Sequence, residues 1–305
     1  MPKLNWLFCV LACAGVWSIS LPATGQALLP YTPELNAEQL EQQGLQLAEE
    51  AIQLVRFQQY ELALPRAKLA TQLAPDRFEA WFILGSLYIQ QEELDEGIKV
   101  LKTALTLAPE EAGIKFTLGN AYFQKGNYAA AATELEEGLT MKPDVPAALF
   151  DLGNAYLKLA KYSEAIESYE KAVAQDKSFW PAMNNIGLIE YEQGNIDEAL
   201  ERWQAAVAID NEQAEPKLAV AIALFSQGKQ EEGTKLGEEA LLHDGRYADV
   251  EFLRENLWGE RLLADAKTFF ATPKMQAVIA NLQTEPAESQ TQTKPAETQE
   301  QKPPQ

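Results

Sequence analysis

Residues able to do covalent or acid–base chemistry are scarce in this chain of 305 residues. Its two cysteines, Cys9 and Cys13, lie together near the N-terminus, so the rest of the chain has no thiolate nucleophile, disulfide or thiolate metal site. The one histidine, His243, has no second imidazole with which to form a dyad or a metal cluster. Carboxylates are plentiful, but clusters such as Glu134, Glu136 and Glu137 fall on an exposed helix face and read as solvated charge. No glycine-rich phosphate loop joins a strand to a helix. The expectation is no catalytic residue, no cofactor and no metal. What chemistry remains is non-covalent recognition.

The charge balance narrows the partners. A formal net charge of -20 and a pI near 4.5 repel nucleic-acid backbones and anionic lipid, so nucleic-acid binding is excluded. The acidity reads first as a solvated helical surface, and second as attraction for a basic partner.

The elements that must position any recognition surface are announced by a period of 34 residues. Trp81, Leu84, Gly85 and Tyr88 return as Leu118, Gly119 and Tyr122, then as Leu152, Gly153 and Tyr156, then as Ile186 and Gly187. A second set keeps step: Gly97, Ala131, Ala165, Ala199; Leu101, Leu135, Tyr169, Trp203; Ala104, Gly138, Ala172, Ala206. Pro109 and Pro143 close two copies and stop a helix, because proline lacks the N–H and clashes with the preceding turn. The glycines are expected where two helices cross closely, with Ala131, Ala165 and Ala199 opposite them. Tyr88, Tyr122, Tyr156 and Trp203 are expected to fill gaps between units.

This pattern of an aromatic, Leu-Gly, Tyr, a small residue, a large apolar residue, Ala and Pro resembles the tetratricopeptide repeat (TPR) family. The resemblance implies an all-α fold, an α-solenoid of about six TPR helix–turn–helix units with a C-terminal helical cap. The units are 44–77, 78–111, 112–145, 146–179, 180–213 and 214–247. The first diverges, as a terminal repeat with one neighbour does. In the last, Gly233, Gly237 and Gly245 are expected to loosen the second helix, at about 1 kcal/mol per helical glycine. Residues 248–283 leave the pattern; their apolar spacing of three and four predicts amphipathic helices covering the exposed apolar face of the last repeat. Residues 284–305 have no large apolar side chain and read as a disordered tail.

In the TPR family the first helix of each unit lines a concave groove. Carried onto this sequence, the resemblance assigns the lining at the fifth position to Phe82, Phe116, Phe150 and Asn184. The ninth position gives Ser86, Asn120, Asn154 and Leu188. The twelfth gives Ile89, Phe123, Leu157 and Tyr191, and the thirteenth Gln90, Gln124, Lys158 and Glu192. Phenylalanine supplies apolar contact at low entropy cost, and asparagine pairs with an extended backbone whatever its sequence. A protein partner is therefore expected. The family's clamp for chaperone tails needs Lys at the fifth position; Phe stands there three times, which disfavours that subclass.

At the N-terminus, residues 1–27 have the layout of a secretory signal peptide: Lys3, an apolar run from Leu4 to Leu21, Pro22, then the small residues of Gly25-Gln26-Ala27. The competing reading is an uncleaved membrane tether through residues 4–21. No Lys or Arg follows Lys3 until Arg56, so either reading places the repeats across a membrane, in a periplasm or thylakoid lumen. Residues 28–43 form a linker held extended by Pro30 and Pro33, with Glu34 to Gln43 opening the first helix. The stretch Leu253–Ala266 is similar to exported TPR proteins of cyanobacteria and plastids. These assemble photosynthetic complexes or handle pigment-synthesis enzymes, among them the protochlorophyllide reductase. The expected function is a non-enzymatic adaptor or assembly factor. The alternatives are a periplasmic envelope scaffold and a self-associating structural protein.

Overall fold

The computed structural model describes residues 36–284, so the expected export segment, the first half of the expected linker (28–35) and the expected tail beyond Thr284 lie outside the described residues. Two units divide the chain between Leu40 and Glu41. Of the first, the described part is the start of a helix whose N-terminal amides, those of Glu38 and Gln39, donate to the Asn36 carboxamide oxygen. Everything below concerns the second.

Six helix pairs follow one another: α1 (Ala37–Arg56) and α2 (Tyr60–Leu73), α3 (Phe78–Gln90) and α4 (Leu94–Leu107), α5 (Ala112–Gln124) and α6 (Tyr128–Met141), α7 (Pro146–Lys158) and α8 (Tyr162–Gln175), α9 (Trp180–Gln193) and α10 (Ile196–Ile209), α11 (Ala214–Ser226) and α12 (Gln230–His243). A 3-10 turn leads into α13 (Val250–Glu255), α14 (Glu260–Phe270) and α15 (Pro273–Thr284).

The period is written into the backbone of the turns. Gln58, Glu92, Gly126, Ala160, Gly194 and Gly228, each 34 after the last, all have positive φ, between 56° and 90°. At every turn the next amide reaches back five residues, as in Gln59 to Leu54, Asn127 to Tyr122 and Lys161 to Tyr156. This is a Schellman-type closure, which satisfies a helix-end carbonyl and needs one left-handed residue. Glycine takes that place three times; Gln58, Glu92 and Ala160 take it at a steric cost.

Helix crossings are set by size. A Cβ on Gly85 would stand 2.6 Å from Leu101 Cγ, on Gly119 2.5 Å from Leu135 Cγ, and on Gly187 2.5 Å from Trp203 Nε1, and at Gly153 the Tyr169 ring fills the same place. The partner of each glycine is thus the large residue sixteen positions on. The small-residue position meets the same crossing, as expected: a Cβ at Gly97, in register with Ala131, Ala165 and Ala199, would stand 3.2 Å from Gly85 O, and Trp203 also clusters with Leu218 of the next unit. A residue without a side chain lets a ring ride over it, so Leu, Tyr and Trp are accommodated in turn.

First helices of neighbouring units touch directly, α3 with α5 and α5 with α7, more than any neighbouring second helices do. The first helices therefore line the inner side of the curve. At the C-terminal end, α14 lies across α9 and α11, and α15 packs on α12. Leu253, Trp258, Leu262, Leu263, Phe269 and Phe270 are buried in one cluster with Leu188, Tyr191, Leu218 and Ile222. The terminal segment thus folds back over the inner side of the last two units, beyond the end-face cover that its amphipathic pattern suggests. Gly237 is not a loosening residue: a Cβ there would stand 2.5 Å from the Phe269 ring, which supplies to the last unit the large side chain its own second helix lacks. At Gly233 a Cβ would likewise stand 2.5 Å from the Ala221 carbonyl oxygen.

Candidate functional site

The inner side has two parts, one covered and one open. In the covered part, Asn184, Leu188 and Tyr191 are buried, at 1, 2 and 0 % exposure. The chain's own terminal segment covers Leu188 and Tyr191, and Asn184 is buried beside Asn185 and Glu215, so these three expected groove residues are closed to a partner. The Tyr191 hydroxyl donates to Asp265 at 2.7 Å, and burial pushes its pKa up to about 12. Glu192 caps α14, accepting from the amides of Arg261 at 3.1 Å and Leu262 at 3.0 Å, where a carboxylate complements the helix dipole. Gly259 is required there, because a Cβ would enter the Glu192 side chain. Glu215, at the start of α11, accepts from Trp258 Nε1 at 3.0 Å and from the Tyr247 hydroxyl at 3.4 Å. Its burial raises the carboxyl pKa, and these donors oppose the rise.

In the open part, the fifth-position rings are half-buried. Phe116 lies against Gly138 of α6, where a Cβ would stand 2.6 Å from its ring, and Phe150 packs 5.6 Å from Tyr169 and 5.5 Å from Phe179. Phe82 packs on the cluster that includes Leu101 and Ala104. The twelfth position turns further inward than the family pattern implies: Ile89 is buried against Gly97, and the Phe123 ring packs, tilted, against Tyr128 of its own second helix at 5.2 Å. Leu157 is half-buried and borders a cleft of about 400 Å³ with Leu188, Leu257 and Trp258, where the open groove meets the cap.

The ninth position carries the polar contacts. Ser86 donates to its own helix at Phe82 O, and Asn120 accepts from Gln124 at 2.6 Å. Asn154 is more heavily engaged: its oxygen accepts from the Tyr169 hydroxyl at 2.7 Å and from Asn185 Nδ2 at 2.9 Å. Asn184 continues the chain by donating to Asn185 at 3.2 Å, while its own oxygen is buried without a partner among the described residues. One participant, Asn185, stands at the sixth position, as does the half-buried Asp151, which joins none of these contacts; sequence reasoning passed over that position. The signal was available: positions 2, 6, 9 and 13 form one helical stripe, with successive steps of four and three.

Among the described residues no group of three or more His, Cys, Asp or Glu could hold a metal ion, and no helix is long and apolar enough to cross a membrane. The candidate site is the inner face of the stacked first helices.

Stacked helix pairs with a shared inner face define the α-solenoid class. The chain belongs to the tetratricopeptide repeat family: a tetratricopeptide repeat model matches residues 49–112 and 116–178, and a TPR repeat model matches 187–228. No curated protein matches it in sequence. Among solved structures, PilF of Pseudomonas aeruginosa is similar at 14% identity and TM-score 0.60, over 72% of this chain and 97% of that one. YrrB, described as a TPR protein with an unusual peptide-binding site, is similar at 20% identity and TM-score 0.51, over 63% and 95%. MamA from Desulfovibrio magneticus RS-1 is similar at 19% identity and TM-score 0.52, over 56% and 97%. At these identities the likeness establishes the fold alone.

Proposed function

We propose that this protein is a non-catalytic adaptor that holds an extended partner polypeptide against the inner face of α3, α5 and α7. One observation carries the reading. The same face, continued onto α9 and α11, already packs polypeptide, namely the chain's own α14. On α3, α5 and α7 the corresponding stripe of half-buried Phe82, Phe116 and Phe150 beside Ser86, Asn120 and Asn154 has no chain over it among the described residues. A peptide-binding site on a TPR protein of the same fold, YrrB, is consistent with it.

The setting belongs to the same proposal. We place the protein across a membrane, in a periplasm or thylakoid lumen, on the strength of the apolar run Leu4–Leu21 and the absence of Lys and Arg between Lys3 and Arg56. A role in assembling photosynthetic complexes or pigment-synthesis enzymes rests on the Leu253–Ala266 stretch. Protease protection of the tagged chain in intact cells tests the location: digestion from the cytosolic side would contradict it.

The groove is tested by affinity capture from native membranes with Asn120→Arg on the inner face and Thr133→Arg on the outer face. The expected outcome is loss of the captured chain with the first and retention with the second. Loss with Thr133→Arg alone would move binding to the outer helices.

A further inference from the structure

The sixth-position stripe holds a carboxylate that the fold does not use. Asp151, on α7, is half-buried and has no hydrogen-bond or ion-pair partner among the described residues. The equivalent residues of the other units are Glu49, Ile83, Thr117, Asn185 and Ala219, so stacking tolerates neutral or apolar side chains there. Burial alone pushes the Asp151 pKa up to about 6. Two other buried charges in the array are matched: Lys115 pairs with Glu137 at 2.6 Å and Glu134 at 3.3 Å, and Glu215 is held by Trp258 and Tyr247. A buried charge without a partner destabilises the free protein.

The neighbours of Asp151 are fixed in place. Asn154, one turn on, is locked by Tyr169 and Asn185, and Tyr169 and Asn185 are buried at 0 and 5 % exposure. The Asn154 oxygen already accepts two hydrogen bonds, which leaves one carboxylate and too few free oxygens for Ca²⁺. What the place lacks is a single cation with directional donors.

We propose that Asp151 is the counter-ion for a lysine or arginine side chain of the bound partner segment, so that the open groove selects an extended polypeptide with a basic residue next to the cap. This rests on the groove reading above. The ammonium or guanidinium supplies charge-assisted hydrogen bonds to the carboxylate, and bound chain on either side excludes water from the pair. The chain's net charge of -20 draws basic segments toward it.

The test uses the full chain on a positional-scanning library of synthetic peptides, with Asp151→Asn and the outer-face control Glu170→Gln. The wild type and the control are expected to favour Lys or Arg over norleucine at one position, by about tenfold, the factor for one charge-assisted pair. Asp151→Asn, an isosteric change, is expected to erase that preference while still capturing peptide, and acetylating the selected lysine should lose the same factor on the wild type. Peptides captured with no basic preference, or a preference that survives in Asp151→Asn, would overturn the Asp151 assignment and leave the groove standing. Capture of no peptide by any variant would overturn both.

Discussion

At the scale of single residues, size matching does most of the work. Gly119→Ala drives a methyl into Leu135 and is expected to destabilise by about 1–3 kcal/mol. Combined with Leu135→Ala, the penalties should fall short of their sum in a urea double-mutant cycle, because the cavity takes up the methyl. Full additivity would place the two residues in different crossings. The left-handed turn residues give the opposite sign. Ala160→Gly is expected to stabilise by up to about 1 kcal/mol in the same assay and Gly126→Ala to destabilise by about as much. Asp151 makes stability depend on pH. Its native pKa near 6 exceeds the ordinary value of 3.8, so the native state binds the proton more tightly and loses stability as pH rises from about 4 to 6. Asp151→Asn should therefore match the wild type at pH 4 and exceed it by roughly 2 kcal/mol at pH 8, measured by urea unfolding. Equal stability at pH 8 would mean the carboxylate is well solvated. The Gly and large-residue pattern was legible in the chain because it repeats. Asp151 was not, because it departs from the repeat, and its meaning depends on the burial and missing partner that only the packed structure supplies.

At the scale of elements, the terminal segment is the informative piece. Val250–Leu263 shows amphipathic spacing, so helices there could be read, but their docking site could not. The clue lay in α11, whose Ala214–Leu224 stretch is buried on every side. Its run of Leu218, Ala219, Val220, Ala221, Ile222, Ala223 and Leu224 is apolar all round, the mark of a helix covered on both faces. Gly233 and Gly237 misled for the same reason: in isolation a helical glycine weakens its helix, but here it admits a neighbour. Phe269→Ala is expected to cost about 3–5 kcal/mol and Glu192→Gln about 1 kcal/mol. Hydrogen exchange should rise in α9, α11 and α12 of Phe269→Ala while α3 to α6 stay protected. Uniform loss across the array would mean that the cap and the early units unfold as one.

At the scale of the whole array, the described units stack each on its neighbour, and one inner face runs along them. The chain covers the far end of that face with its own helices, and among the described residues nothing covers α3, α5 and α7, where the proposed partner would lie. The family pattern foretold the face; the covering of Leu188 and Tyr191 depends on contacts 69 to 74 residues apart, which no local period encodes. A photo-crosslinking amino acid placed in cells at Asn120, at Thr133 and at Arg261 tests this division most directly. A partner chain crosslinked from Asn120 on the inner face, and from neither the outer helix nor the cap, is the expected result. Crosslinks from Thr133 or Arg261 with none from Asn120 would contradict it.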